Sequence, residues 1–218
     1  MDPGEDMDLT ALERAVRADV ARERGARAWL RSRSPALRLV LALGFAMLLA
    51  VTVLVVRARG DLHTYPVWRM GLTLGWFGLA AGASAWLALR PVYLPRPSAR
   101  LVIGLAAFAL AGPLVTALLP AVPTDETLHA HRSALAGGCF TIGALAGVVT
   151  LLLARLLDRG GPHGPGPLVL AAAAAGLVGN VALQLHCPIN FPAHLLLGHA
   201  TVPMALVLAT LLVRRLRA

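Results

Sequence analysis

The sequence contains no lysine: all 20 basic residues are arginine, and only 11 residues are acidic. Charged residues make up 14% of the 218 positions and apolar residues 57%, against roughly 25% and about 45–50% in soluble domains. That balance excludes an ordinary water-soluble domain, and lipid is the expected solvent. Arginine used to the exclusion of lysine, beside abundant alanine and leucine, reads as the product of a GC-rich coding sequence. The pI of 11.4 therefore does not argue for nucleic-acid binding. Two cysteines, Cys139 and Cys187, exclude a disulfide framework and leave at most one bridge. Asp61, Asp125, Glu126 and Asp158 all lie between apolar runs, which removes the midplane carboxylate that proton-coupled transport needs. A long polar stretch precedes the first apolar run, so no cleaved signal peptide is expected.

What is present is a series of apolar runs. A bilayer core about 30 Å thick needs on the order of 20 apolar residues per helical span, and the chain holds six such runs with short loops. They cover residues 37–56, 67–89, 101–119, 133–157, 167–185 and 193–213. The fold class is thus all-α, a polytopic bundle of six transmembrane helices. It divides into a segment 1–36, a membrane domain 37–213 and a tail 214–218, with no room for a separate soluble domain. Arg38 lies near enough to the end of the first run to snorkel to the interface. Gly71, Gly75, Gly78 and Gly82 line one face of the second. Such faces let helices approach closely, and packing within the bundle is expected, with a dimer contact as the alternative. Pro113 lies inside the third run and predicts a kink. Gly143 and Gly147 fall one turn apart in the fourth, the fifth is rich in alanine, and DRGGPHGPGP between them is an exposed loop.

The arginines sort by loop. With the N-terminus inside, 16 lie on the cytoplasmic side, while Arg57, Arg59, Arg69 and Arg132 lie outside. The positive-inside rule then predicts a multi-pass protein of the bacterial inner membrane with both termini in the cytoplasm.

The segment 1–36 is the one sizeable cytoplasmic piece. Thr10 and Glu13 have capping-box spacing, and Glu13 with Arg17 and Glu23 with Arg27 are four apart. Leu12, Val16 and Val20 share a face, so an amphipathic helix is expected over residues 11–28. With no soluble domain to cover it, that face meets anionic lipid at the membrane surface or a protein partner.

On the opposite side lie six of the seven histidines: His63, His129, His131, His186, His194 and His199. The densest stretch is HCPINFPAHLLLGH, residues 186–199. Cys139 lies about 9 Å into the fourth span at 1.5 Å per residue, at the same side. Asn180, Gln184 and Cys187 share a face of the fifth helix, where buried amides serve as interhelical hydrogen-bonders or line a small polar chamber. Such a chamber fits zinc or copper ligation, a reversible disulfide, or a pH response by histidine. His194 and His199 are five apart, roughly 140° on an ideal helix, which does not place them on one metal unless His194 precedes the helix. The sequence alone assigns no metal and no cofactor.

The stretch LQLHCPINFPAHLLLGH resembles the NrsF-type membrane anti-sigma factors. These are six-span bacterial proteins in which a LHCP motif, here Leu185, His186, Cys187 and Pro188, joins the fifth and sixth helices. A second cysteine in the fourth span is matched by Cys139 in GGCFTIGAL. Within that group the chain is most similar to the CarR-type negative regulators of carotenoid synthesis genes. After the Cys-Pro the common family pattern ends in an aromatic pair, where this chain has Gly198 and His199. The resemblance implies a non-enzymatic repressor of transcription. Its N-terminal segment, through Leu12, Val16 and Val20, would hold an extracytoplasmic-function sigma factor at the inner membrane until a signal such as light or oxidative stress releases it. Cys139, Cys187, His186, His194 and His199 are the candidate sensing residues. The competing expectation is a small metal- or redox-binding membrane protein or transporter.

Overall fold

The computed structural model describes residues 33–90, 94–119, 132–157 and 164–216, together with residues 10, 13, 14, 18, 29 and 30. Among these the chain is all-helical, and six helices are long and apolar enough to cross a membrane. They are α1 (Pro35–Arg57), α2 (Val67–Ala88), α3 (Ala99–Leu118), α4 (Arg132–Leu157), α5 (Pro165–His186) and α6 (Pro192–Leu216). Their ends follow local chemistry. Ser34 and Ser98 accept hydrogen bonds from the backbone N–H groups of Leu37 and Leu101, each satisfying a donor left free in a first helical turn. Proline opens α1, α5 and α6, where its missing N–H costs nothing.

The bundle is built around α5. Its membrane stretch is 78% buried while that of α1 is 0% buried, so the other helices surround α5 and α1 lies at the edge. This explains the alanines: Ala172, Ala173, Ala174 and Ala175 are all buried, and larger side chains would hold the neighbours off. Glycine completes the fit. A Cβ on Gly179 would collide with the carbonyl of Gly143, one on Gly176 with Pro203 of α6, and one on Gly147 would come within 2.5 Å of Leu206. Close backbone approach of this kind is what drives helix association in lipid, where no hydrophobic force separates protein from solvent.

The glycine face of α2 is different. A Cβ at Gly71, Gly75, Gly78 or Gly82 would meet nothing within 4 Å. The expected packing of that face within the bundle is therefore not found. Those glycines point outward, and α2 meets α5 through Phe77, Ala80 and Ala81 instead. Trp68 and Trp86 are exposed near opposite ends of α2, about 27 Å apart at 1.5 Å per residue. That separation matches the aromatic belts at the two boundaries of a bilayer core.

Arg38 does not snorkel. It is buried, and its two terminal nitrogens donate to the carbonyls of Leu157, 2.9 Å, and Leu89, 3.1 Å. These carbonyls end α4 and α2, where a cation is favoured both by the free acceptors and by the helix dipole. One side chain of α1 thus ties three helices at one end of the bundle. Around Pro113 in α3, Trp76 donates to the Phe108 carbonyl at 3.0 Å and Thr116 to that of Gly112 at 2.9 Å. Both bonds lie beside the gap rather than in it, since the carbonyl that Pro113 leaves without an N–H is that of Ala109.

Leu12, Val16 and Val20, the expected docking face, lie outside the described residues, as do His129, His131 and His163. Thr10, Glu13 and Arg14 are helical, with Arg14 Nε donating to the Thr10 carbonyl.

Candidate functional site

At the end of the bundle away from Arg38, three pieces of chain converge. Cys139 comes from α4, Cys187 caps α5, and His194 and His199 lie in the first turns of α6. One ligand atom from each of the four lies within 4.8 Å of the other three. The two sulfurs are 3.5 Å apart, and Cys187 Sγ is 3.3 Å from His194 Nε2. Both thiols are free, with Cys139 half-buried and the other three residues buried. His199 Nε2 is buried without a hydrogen-bond partner among the described residues. Such an orphaned polar atom requires a physical reason.

The histidines meet because α6 does not start as a regular α-helix. Residues Leu195–Ala200 form a π-helical turn, in which hydrogen bonds close between residues five apart rather than four. Positions 194 and 199 then fall on one side, with ring centroids 5.5 Å apart. The expectation that they diverge by 140° is corrected by this turn. Pro203 contributes to it, since its ring crowds the carbonyl four residues back, that of His199, and offers no N–H to it. Gly198 allows the turn to lie against α4: a Cβ there would sit 3.0 Å from the Ala136 carbonyl oxygen and 3.4 Å from Cys139 Cβ.

Cys187 is held from both sides. Its N–H donates to the Leu183 carbonyl at 2.7 Å, and in the loop after it Asn190 Nδ2 donates to the Pro188 carbonyl at 3.0 Å. The α1–α2 connection is strapped across the end of α5. The Arg59 N–H donates to the Leu185 carbonyl, 2.9 Å, and the Arg59 side chain to the Gln184 carbonyl, 3.2 Å. The same guanidinium grips Asp61 through two bonds of 2.6 and 2.8 Å and lies 3.9 Å over the Tyr65 ring. Gln184 in turn donates to the Tyr65 hydroxyl at 3.2 Å. The thiol of Cys187 is pushed up from its ordinary value, first by its hydrogen bond with Cys139 and then by burial.

Of the five sensing candidates, four form the cluster. His186 does not: its Nδ1 is 3.0 Å from the Arg57 carbonyl, which can only accept, so that nitrogen carries the proton and faces α1. The expected interhelical bond of Gln184 is not found, since its side chain donates to Tyr65 in the α1–α2 connection, and the amide of Asn180 is fully buried with neither atom partnered among the described residues. Arg59, Asp61 and Tyr65 were not legible as parts of the site. Their signal in the sequence is only an Arg-x-Asp pair in a short loop opposite the motif. The arrangement can do three things: ligate a metal, form a disulfide, or rearrange when either happens. Comparison with models of protein families, with curated proteins and with solved structures finds no match.

Proposed function

We propose that this chain is an inner-membrane anti-sigma factor. Its cytoplasmic N-terminal segment sequesters an extracytoplasmic-function sigma factor, and its extracytoplasmic cysteine–histidine cluster governs release. Inhibition is by binding rather than by chemistry. The supporting observation is that the residues carrying the family resemblance all serve one structural centre. Leu185 holds the Arg59 backbone, His186 holds the Arg57 carbonyl, Cys187 meets Cys139, and the Pro188 carbonyl fixes Asn190.

The same contacts supply a route for the signal. Helix α1 is thinly packed along its length and pinned at its ends, by Arg38 at one and by the Arg57 and Arg59 contacts with α5 at the other. It leads directly from the cluster to the N-terminal segment. A change at Cys187 shifts the loop that His186 and Leu185 share with α1. An edge helix moves at lower cost than one embedded in the bundle.

The test is co-purification of sigma factors with the full-length chain from detergent-solubilised membranes. A sigma factor should accompany the wild type and be lost from the variant carrying Leu12→Asp, Val16→Asp and Val20→Asp, because each unpaired carboxylate in a desolvated contact costs several kcal/mol. Equal recovery with the triple variant would remove the N-terminal segment as the dock.

A further inference from the structure

We infer that Cys139, Cys187, His194 and His199 form a tetrahedral site for a divalent ion of the zinc class. The inference rests on the cluster alone and needs no sigma factor. Zinc binds thiolate sulfur at about 2.3 Å and imidazole nitrogen at about 2.0–2.1 Å, so a tetrahedral ion requires sulfurs about 3.8 Å apart and sulfur–nitrogen pairs about 3.6 Å apart. The observed separations are 3.5 Å and 3.3 Å, and the remaining ligand pairs stay within 4.8 Å. The loosest pair has to close by on the order of 1 Å to meet that geometry, within the reach of side-chain rotation.

Charge selects the ion. Two thiolates and two neutral imidazoles around a divalent cation sum to zero, the state least costly to bury. A monovalent ion would leave a net negative charge there. The neighbouring cation, Arg59, is already neutralised by Asp61. Binding is balanced by proton release: each thiol gives up one proton as its sulfur bonds the metal, and both imidazoles coordinate through an unprotonated nitrogen. The orphaned Nε2 of His199 is a buried nitrogen lone pair or N–H that an ion at this point would engage. The π turn and the glycine at 198 then have a shared purpose, which is to bring two histidines and a cysteine of another helix around one point.

The test uses the full chain in detergent, reduced, loaded separately with Zn2+ and with Co2+, and desalted. One equivalent of zinc should be retained, and the cobalt form should show visible d–d bands of a tetrahedral ion with thiolate-to-metal charge transfer. Zinc should also protect Cys139 and Cys187 from alkylation in the wild type, a readout that requires no variant. His199→Gln should keep the charge transfer and lose affinity at least tenfold, and His63→Gln, at an exposed histidine outside the cluster, should bind like the wild type. The proposal is overturned if reduced wild-type protein retains no metal, if the bound cobalt lacks thiolate charge transfer, or if alkylation is unaffected by zinc. A disulfide forming in air beside a reduced form that retains no metal overturns it in favour of a redox pair. Failure here leaves the co-purification result standing, and the reverse also holds.

Discussion

Replacing Asp61 by asparagine should loosen the strap between α1 and the cluster, with an effect large enough to measure. Arg59 is 2% exposed, and Asp61 supplies two of its bonds, at 2.6 and 2.8 Å. Removing one partner of a buried ion pair costs about 3–5 kcal/mol, because the other charge is left uncompensated. Asp61 keeps 22% side-chain exposure, so water can reach the site and the lower figure, about 3 kcal/mol, is expected. The double variant Arg59→Leu/Asp61→Leu should lose less than the two single losses added together, since it strands no charge. Thermal unfolding in detergent gives the cycle. In parallel, Cys187 should be alkylated faster in Asp61→Asn, because the Arg59 backbone holds the Leu185 carbonyl two residues away. Stability within about 0.5 kcal/mol of the wild type, together with unchanged thiol reactivity, would refute the reasoning.

Three further outcomes follow from the packing and the charge pattern. Gly179→Ala should be strongly destabilising, because its Cβ would collide with the Gly143 carbonyl, while Gly75→Ala, which meets nothing, should be neutral or stabilising by about 0.5–1 kcal/mol; paired melting curves decide. Arg38→Leu should lower stability by roughly 3 kcal/mol or more, since two hydrogen bonds from a charged group are worth about 1.5–3 kcal/mol each, and thermal unfolding that matches the wild type would count against the tie it makes. Reporter fusions after Arg33, Pro95, Gly161 and Ala218 should all report the cytoplasm, and an extracytoplasmic signal at any of them would break the proposed orientation.

The spans were legible because hydropathy needs no tertiary information: the expected runs and the observed helices differ by three residues or fewer at each end. The meeting of Cys139 and Cys187 was legible too, since both lie at the same depth and a six-span path brings the fourth and fifth helices side by side. The direction of the α2 glycine face was not. Spacing places Gly71, Gly75, Gly78 and Gly82 on one face but does not say whether that face points to protein or lipid. Arg38 and Arg59 were misjudged or missed because a charge near a helix end reads as solvated, and only the fold shows the carbonyls and the carboxylate that receive them. The histidine pair was obscured by helix geometry itself. A five-residue interval reads as divergent until a π turn, prompted by Pro203, makes it a shared side.

The most direct measurement is the output of promoters dependent on the proposed partner sigma factor, in a strain lacking this chain and complemented with the wild type or the Leu12→Asp/Val16→Asp/Val20→Asp variant at equal membrane abundance. The account predicts high output without the chain, silencing by the wild type, and output as high as in the deletion with the triple variant. Output that is unchanged by the deletion, or silencing by the triple variant equal to that of the wild type, would contradict it.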